Sequence, residues 1–156
     1  MHASDDFERF HNRKNPRLRD YNYCTPNYYF ITICTHEKKW LFGKPGTRNT
    51  YGDIAYSGLV EICRHFSGVF VDKAVIMPNH IHAIIVLTGN DVHLSDVIGQ
   101  YKAFVTKSIH RIMPNIPVWQ TSFHDHVIRS QQSYEKIWSY IETNPIKWQE
   151  DCYMQE

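Results

Sequence analysis

The chain has 156 residues, room for one domain with a buried core and too little for several. Its 42% hydrophobic and 21% charged residues exclude a disordered tail, because a chain of this composition can bury enough apolar surface to fold. Seventeen Lys+Arg against sixteen Asp+Glu leave a net charge of +1, which excludes a generally polybasic nucleic-acid binder; any polyanion must be met by a local patch. No run approaches the roughly 18 apolar residues of a membrane span. The start Met1-His2-Ala3-Ser4-Asp5-Asp6 is too polar and acidic for a secretion signal, so a cytoplasmic protein without a membrane partner is expected. Cys24, Cys34, Cys63 and Cys152 are scattered, form no C-x-x-C pair, and read as reduced thiols.

Residues 1–27 form a polar N-terminal arm in which Arg13, Lys14, Arg17 and Arg19 are followed by Tyr21 and Tyr23. Such a segment is a solvated arm, or one whose cations grip phosphates while its aromatics stack on unpaired bases. Residues 28–156 read as a single domain. Tyr28 to His36 is aromatic and β-branched and predicts a strand, and Lys44-Pro45-Gly46 a loop. Asp53 to Phe66 predicts a helix with Ile54, Leu59, Ile62, Cys63 and Phe66 near one side, ended by Ser67-Gly68. A second strand runs over 69–71 and, after Asp72-Lys73, over 74–77. Pro78-Asn79 makes the turn into a third strand, His80 to Leu87, because proline lacks the ladder donor and asparagine tolerates turn dihedrals.

Leu94 to Ile112 is an amphipathic helix with Tyr101 in its apolar stripe and Pro114 beyond its end. Val118 to Ile128 predicts a fourth strand, and Ser133 to about Asn144 a last helix carrying Tyr134, Ile137, Trp138 and Ile141 on one face. The order β-α-β-β-α-β-α predicts an α+β fold, a ferredoxin-like antiparallel sheet with a C-terminal helix.

Two motifs carry chemistry. Side chains alternate across a strand, so His80 and His82 of His80-Ile81-His82 share one face of an otherwise apolar strand and can close on one divalent cation. A bare H-x-H is also what chance provides among ten histidines, and His124-Asp125-His126 repeats it; Asp125 there points away from its neighbours, and His126 can line the same cleft. In the last helix Tyr140 lies well off the apolar centre, and Asn144, four residues on, shares its side. Pro145 suggests a helix end at Asn144. A phenol is a weak nucleophile near neutral pH, but a phosphodiester with a cation-bound oxygen is a better electrophile, held in line for attack. The product is a covalent phosphotyrosine, which conserves the energy of the broken linkage for rejoining to another end.

At these residues the sequence resembles the HUH-motif single-tyrosine transposases, most closely the REP-associated tyrosine transposase-like proteins of bacteria. The ordered match takes in Arg13-Lys14 to Arg19, Tyr21-Asn22-Tyr23, Tyr29 to Thr35, Leu41-Phe42-Gly43, Val75 to His82, Trp119, His126 to Arg129, Tyr140-Ile141 and Asn144-Pro145. The resemblance implies that His80 and His82 bind Mg²⁺ or Mn²⁺, with Asn144 as third ligand. It implies Tyr140 as the nucleophile that takes the 5′ phosphate of single-stranded DNA cleaved beside a hairpin. By charge and face, hairpin contacts are expected from Arg13, Lys14, Arg17, Arg19, Lys102, Lys107, Arg111 and Arg129 of a nucleoid-associated monomer or homodimer. Two rival readings are a non-catalytic nucleic-acid-binding module on the same fold, and a metallohydrolase using both H-x-H pairs.

Overall fold

The computed structural model describes residues 18–148; Arg13, Lys14 and Arg17 lie outside them. A four-stranded sheet is built from β1 (Asn27–Cys34), β4 (Val69–Ile76), β5 (His80–Leu87) and β6 (His124–Ile128) in the order β4-β5-β1-β6. Every neighbouring pair is antiparallel, so the fold is α+β with the strand order of a split β-α-β arrangement. A small hairpin, β2 (Gly43–Lys44) and β3 (Thr47–Arg48), occupies the stretch read from sequence as a plain loop. Its turn at Pro45-Gly46 uses a φ of +73° at Gly46, which glycine reaches without a Cβ clash.

Helices α1 (Thr50–His65) and α2 (Leu94–His110) cover one face of the sheet, and α3 (Gln131–Thr143) the other. Helix α1 starts three residues before the expected Asp53 because Asn49 caps it, its side chain accepting from the Gly52 amide at 2.9 Å. Alternation along the strands sorts the side chains. Tyr29, Ile31, Ile33, Ile81, Ala83, Ile85 and Leu87 join Leu59, Ile62, Val97, Ile98, Tyr101 and Val105 in the large core beneath α1 and α2. Phe30, Ile84, Val86 and Ile128 face the other way and meet Ile137 and Ile141 of α3 in a smaller cluster. Two polar ties hold α3 across the edge strand: Lys73 pairs with Glu142, and the Tyr134 hydroxyl donates to Asp72 Oδ2 at 2.6 Å. Asp72 stands at a register shift between Val71 and Lys73, so the expected interruption is a bulge in one strand.

Two further expectations change. The strand expected over 118–128 survives only as His124–Ile128, preceded by an isolated bridge between Thr35 and Trp119. In that stretch the Lys102 ammonium donates to the carbonyls of Gln120 (2.9 Å) and Ser122 (3.0 Å), which therefore point to a helix and not to a neighbouring strand. The end of the basic arm is not solvated either. Tyr23 is buried in the large core, Tyr21 packs against it, and the Tyr23 hydroxyl accepts from the Leu18 amide at 2.7 Å. Among the described residues no helix is long and apolar enough to cross a membrane.

Candidate active site

Strand β5 is buried along its whole length, and the turn that launches it is tied down from three sides. The Met77 amide donates to the His80 carbonyl (2.9 Å), the Thr35 amide to Asn79 (3.0 Å) and the Phe42 amide to Pro78 (3.0 Å). His80 and His82 therefore leave a rigid backbone on the α3 side of the sheet, their ring centroids 4.5 Å apart. Both are fully buried.

Each ring is oriented from behind. His80 Nδ1 lies 2.7 Å from Asn79 Oδ1, an oxygen that can only accept, so Nδ1 carries the proton and Nε2 is the basic nitrogen. His82 Nδ1 lies 2.8 Å from Thr32 Oγ1, on the β1 residue directly opposite in the sheet. On the other side of that ring the Tyr140 hydroxyl stands 3.4 Å from Nε2, so hydroxyls flank both nitrogens; with the proton on Nδ1, facing Thr32, Nε2 keeps its lone pair. This is the tautomer a metal-binding histidine needs, with the far nitrogen donating to a fixed oxygen.

Tyr140 is half-buried on α3, its ring 5.2 Å from that of His82 and edge-on to Phe30 at 6.2 Å. Asn144, the C-cap of α3, is 2% exposed, and its Oδ1 is buried without a hydrogen-bond partner among the described residues. A buried amide oxygen left unsatisfied costs about 1–3 kcal/mol, which a cation would recover. Two basic imidazole nitrogens and a spare amide oxygen fit a hard-to-borderline divalent ion. No group of three His, Cys, Asp or Glu side chains forms among the described residues, so such an ion would complete its shell with Asn144 and water.

The remaining expected residues fall in different places. His126 is half-buried on the same face as the pair, opposite Phe30 on β1. His124 is opposite Thr32, hence one strand beyond β1 from His82 and roughly 10 Å away by strand spacing. The metallohydrolase reading, in which both pairs grip one cation, finds no cluster of three or more such ligands among the described residues. Tyr101 is fully sealed and donates to the Ala55 carbonyl at 2.8 Å, so burial pushes its phenol well above the usual value and it packs rather than reacts. Arg19, Lys107, Arg111 and Arg129 are exposed. Lys107 and Arg111 belong to the α2 layer, behind the sheet from the histidines, and Lys102 on that helix is engaged with two carbonyls instead of offering a surface cation. Arg129 opens onto a cavity of about 440 Å³ lined by Tyr28, Ile128, Ser130, Gln131 and Tyr134, at the start of α3.

Sequence reading missed three neighbours of the pair. Thr32 was visible only as an alternating strand residue and Asn79 only as a turn former. Trp148, just past the expected last helix, stacks on His80 with centroids 5.8 Å apart and planes at 16°.

Sheet, paired histidines and a helix-borne tyrosine together define a nucleic-acid-processing class of protein only once relatives are compared. The family described as "Transposase IS200 like" matches residues 23–144, from Tyr23 through Tyr140 to Asn144. The chain belongs to the IS200-like transposase family, as its motifs implied. It is 32% identical to an uncharacterised protein of Haemophilus influenzae (strain Rd KW20), over 90% of this chain and 92% of the other. Its fold is similar to that of a REP-associated tyrosine transposase solved bound to a REP hairpin, with TM-score 0.69, 22% identity, and 85% and 73% of the two chains covered. It is also similar in fold to a Deinococcus radiodurans R1 protein assigned as a transposase, with TM-score 0.53, 16% identity, and 81% and 95% coverage.

Proposed function

We propose that this transposase cuts and rejoins single-stranded DNA beside hairpin-forming repeats through a covalent phosphotyrosine on Tyr140. The observation that carries the reading is the approach of the Tyr140 hydroxyl to 3.4 Å from His82 Nε2, next to a second imidazole whose Nε2 is the basic nitrogen. The phenolic oxygen attacks phosphorus, a P–O bond forms to Tyr140, and the bond to the 3′ oxygen breaks. The phenol loses a proton, and the departing 3′ oxygen gains one. Reversal by a different 3′ hydroxyl joins a new end without an external energy source. His80, His82 and Asn144 would hold Mg²⁺ or Mn²⁺, which supplies Lewis acidity at a nonbridging phosphate oxygen. Thr32 and Asn79 keep the two imidazoles facing the reacting atoms, and Phe30 and the α3 contacts hold the phenol over them.

The neutral composition puts the DNA-binding charge in few places. Arg129 stands two residues before the start of α3, and its cavity lies on the sheet face shared with the histidines. The hairpin preference is supported by the shared fold with a protein solved on a REP hairpin.

A denaturing gel of protein with labelled hairpin oligonucleotide and Mn²⁺ tests the reading. Wild type gives a covalent adduct, and Tyr140→Phe gives none while binding the oligonucleotide within about twofold of wild type, since only one hydroxyl is lost. An adduct with the Phe variant would place the nucleophile elsewhere. Binding without any adduct in Mn²⁺ would leave a non-catalytic module.

A further inference from the structure

Nothing in the proposed reaction uses Trp148, and its surroundings give it more than a packing role. The indole is 7% exposed, lies flat on His80 and is met edge-on by Trp40 at 5.7 Å. Four rings thus form a row: Trp148, His80, His82 and Tyr140. Stacking alone would be served by phenylalanine, which has no polar atom to bury. Trp148 instead brings an indole Nε1–H that is buried with no hydrogen-bond partner among the described residues. Such a donor costs free energy to enclose unless something arrives to accept from it.

The chemistry of that nitrogen narrows what arrives. Its lone pair belongs to the aromatic system, so it donates and cannot ligate a cation. Asn144 Oδ1, likewise buried and without a partner among the described residues, is an acceptor and suits a cation. The spare acceptor on Asn144 and the spare donor of the indole stacked on His80 match the two charges of a cation-bound phosphodiester. Resting on the reading above, we propose that Trp148 Nε1–H donates to a nonbridging oxygen of the phosphate that Tyr140 attacks. The contact holds the phosphate from the His80 side, opposite the phenol, and favours the geometry in which negative charge gathers on that oxygen.

The test is a binding cycle in the Tyr140→Phe background, where no cleavage intervenes. The probe is a hairpin oligonucleotide drawn from a pool with randomised single-stranded flanks by its covalent capture on the wild-type protein. It is prepared with either a phosphodiester or a methylphosphonate at the captured linkage, the methyl group replacing one nonbridging oxygen in each separated diastereomer. Trp148→Phe is expected to weaken binding of the phosphodiester roughly tenfold, the scale of a hydrogen bond to a charged group, and to leave binding of one methylphosphonate diastereomer unchanged. Mn²⁺ affinity by calorimetry stays the same, because the stack on His80 is kept. Equal losses on the phosphodiester and both methylphosphonates would overturn the contact. If Trp148→Phe melts too low for the assay, β-(3-benzothienyl)alanine at position 148 keeps the shape and removes only the N–H. A captured probe with equal losses sinks this inference alone, whereas failure of wild type to capture any probe sinks the phosphotyrosine reading with it.

Discussion

The hydroxyl of Tyr140 and the Nε2 atom of His82 stand 3.4 Å apart, although 58 residues separate them in the chain. With the His82 proton on Nδ1, the lone pair that receives the phenolic proton is the one a cation would need. Phenol and cation therefore compete for one nitrogen, and Tyr140→Phe is expected to bind Mn²⁺ about twofold tighter than wild type, the low end for a long neutral hydrogen bond. Calorimetric titration checks it. Weaker binding in the Phe variant would mean that the phenol helps to hold the ion.

Thr32 acts on the same ring from behind. Thr32→Val keeps the shape of the strand and removes the oxygen that fixes the His82 tautomer. Loss of such an outer partner is expected to lower Mn²⁺ affinity by about tenfold, with Thr32→Ser restoring it. An unchanged affinity in Thr32→Val would show that the ring needs no support from β1.

The polar ties of the two helix layers separate stability from DNA binding. Lys102→Met frees the Gln120 and Ser122 carbonyls and is expected to destabilise the fold by about 1–3 kcal/mol, read by urea denaturation, with hairpin affinity at low temperature unchanged. Arg129→Ala should do the reverse. Its melt stays at the wild-type value, affinity drops a few-fold, and the slope of log affinity against log salt becomes shallower by about 1. Equal effects of alanine at Lys107 or Arg111 would place the DNA on the opposite helix layer.

Three phenols set the alkaline limit. Burial raises Tyr101 and Tyr29 well above the ordinary 10.0, Tyr29 with help from its hydrogen bond to Tyr21, and the Asp72 carboxylate pushes Tyr134 up to about 12. The folded chain holds these protons more tightly than the unfolded chain. Their contribution to stability is thus complete below pH 10.0 and declines above it, for Tyr134 until about 12. Urea denaturation across that range, followed with phenolate absorbance, should show phenolate from Tyr101 only as the chain unfolds, and Tyr134→Phe should flatten the decline. Free ionisation of every tyrosine at 10.0 in a folded protein would contradict the burial of Tyr101.

Much of the candidate site is legible in the sequence. The alternation in His80-Ile81-His82 fixes the shared face, and the off-centre position of Tyr140 on an amphipathic helix marks it as a poor core residue. What periodicity could not convey was which distant partner meets each ring. Thr32 reaches His82 because β1 pairs with β5 in one register, and register depends on the whole sheet. Trp119 and Phe123 have strand character, yet the carbonyls between them are satisfied by Lys102 of another helix, a partner that local propensity cannot contain.

The unequal clusters on the two faces of the sheet have a mechanical result. The histidines are carried by a strand locked into the larger apolar body, while the phenol rides on a helix secured by Ile137, Ile141 and two edge ties. Partial melting of the domain would begin with that helix and would withdraw the Tyr140 phenol as one piece, leaving the imidazoles in register. Amide protons of α3 should accordingly exchange with solvent well before those of β1 and β5, so the phenol and the imidazole pair keep separate clocks within one small fold.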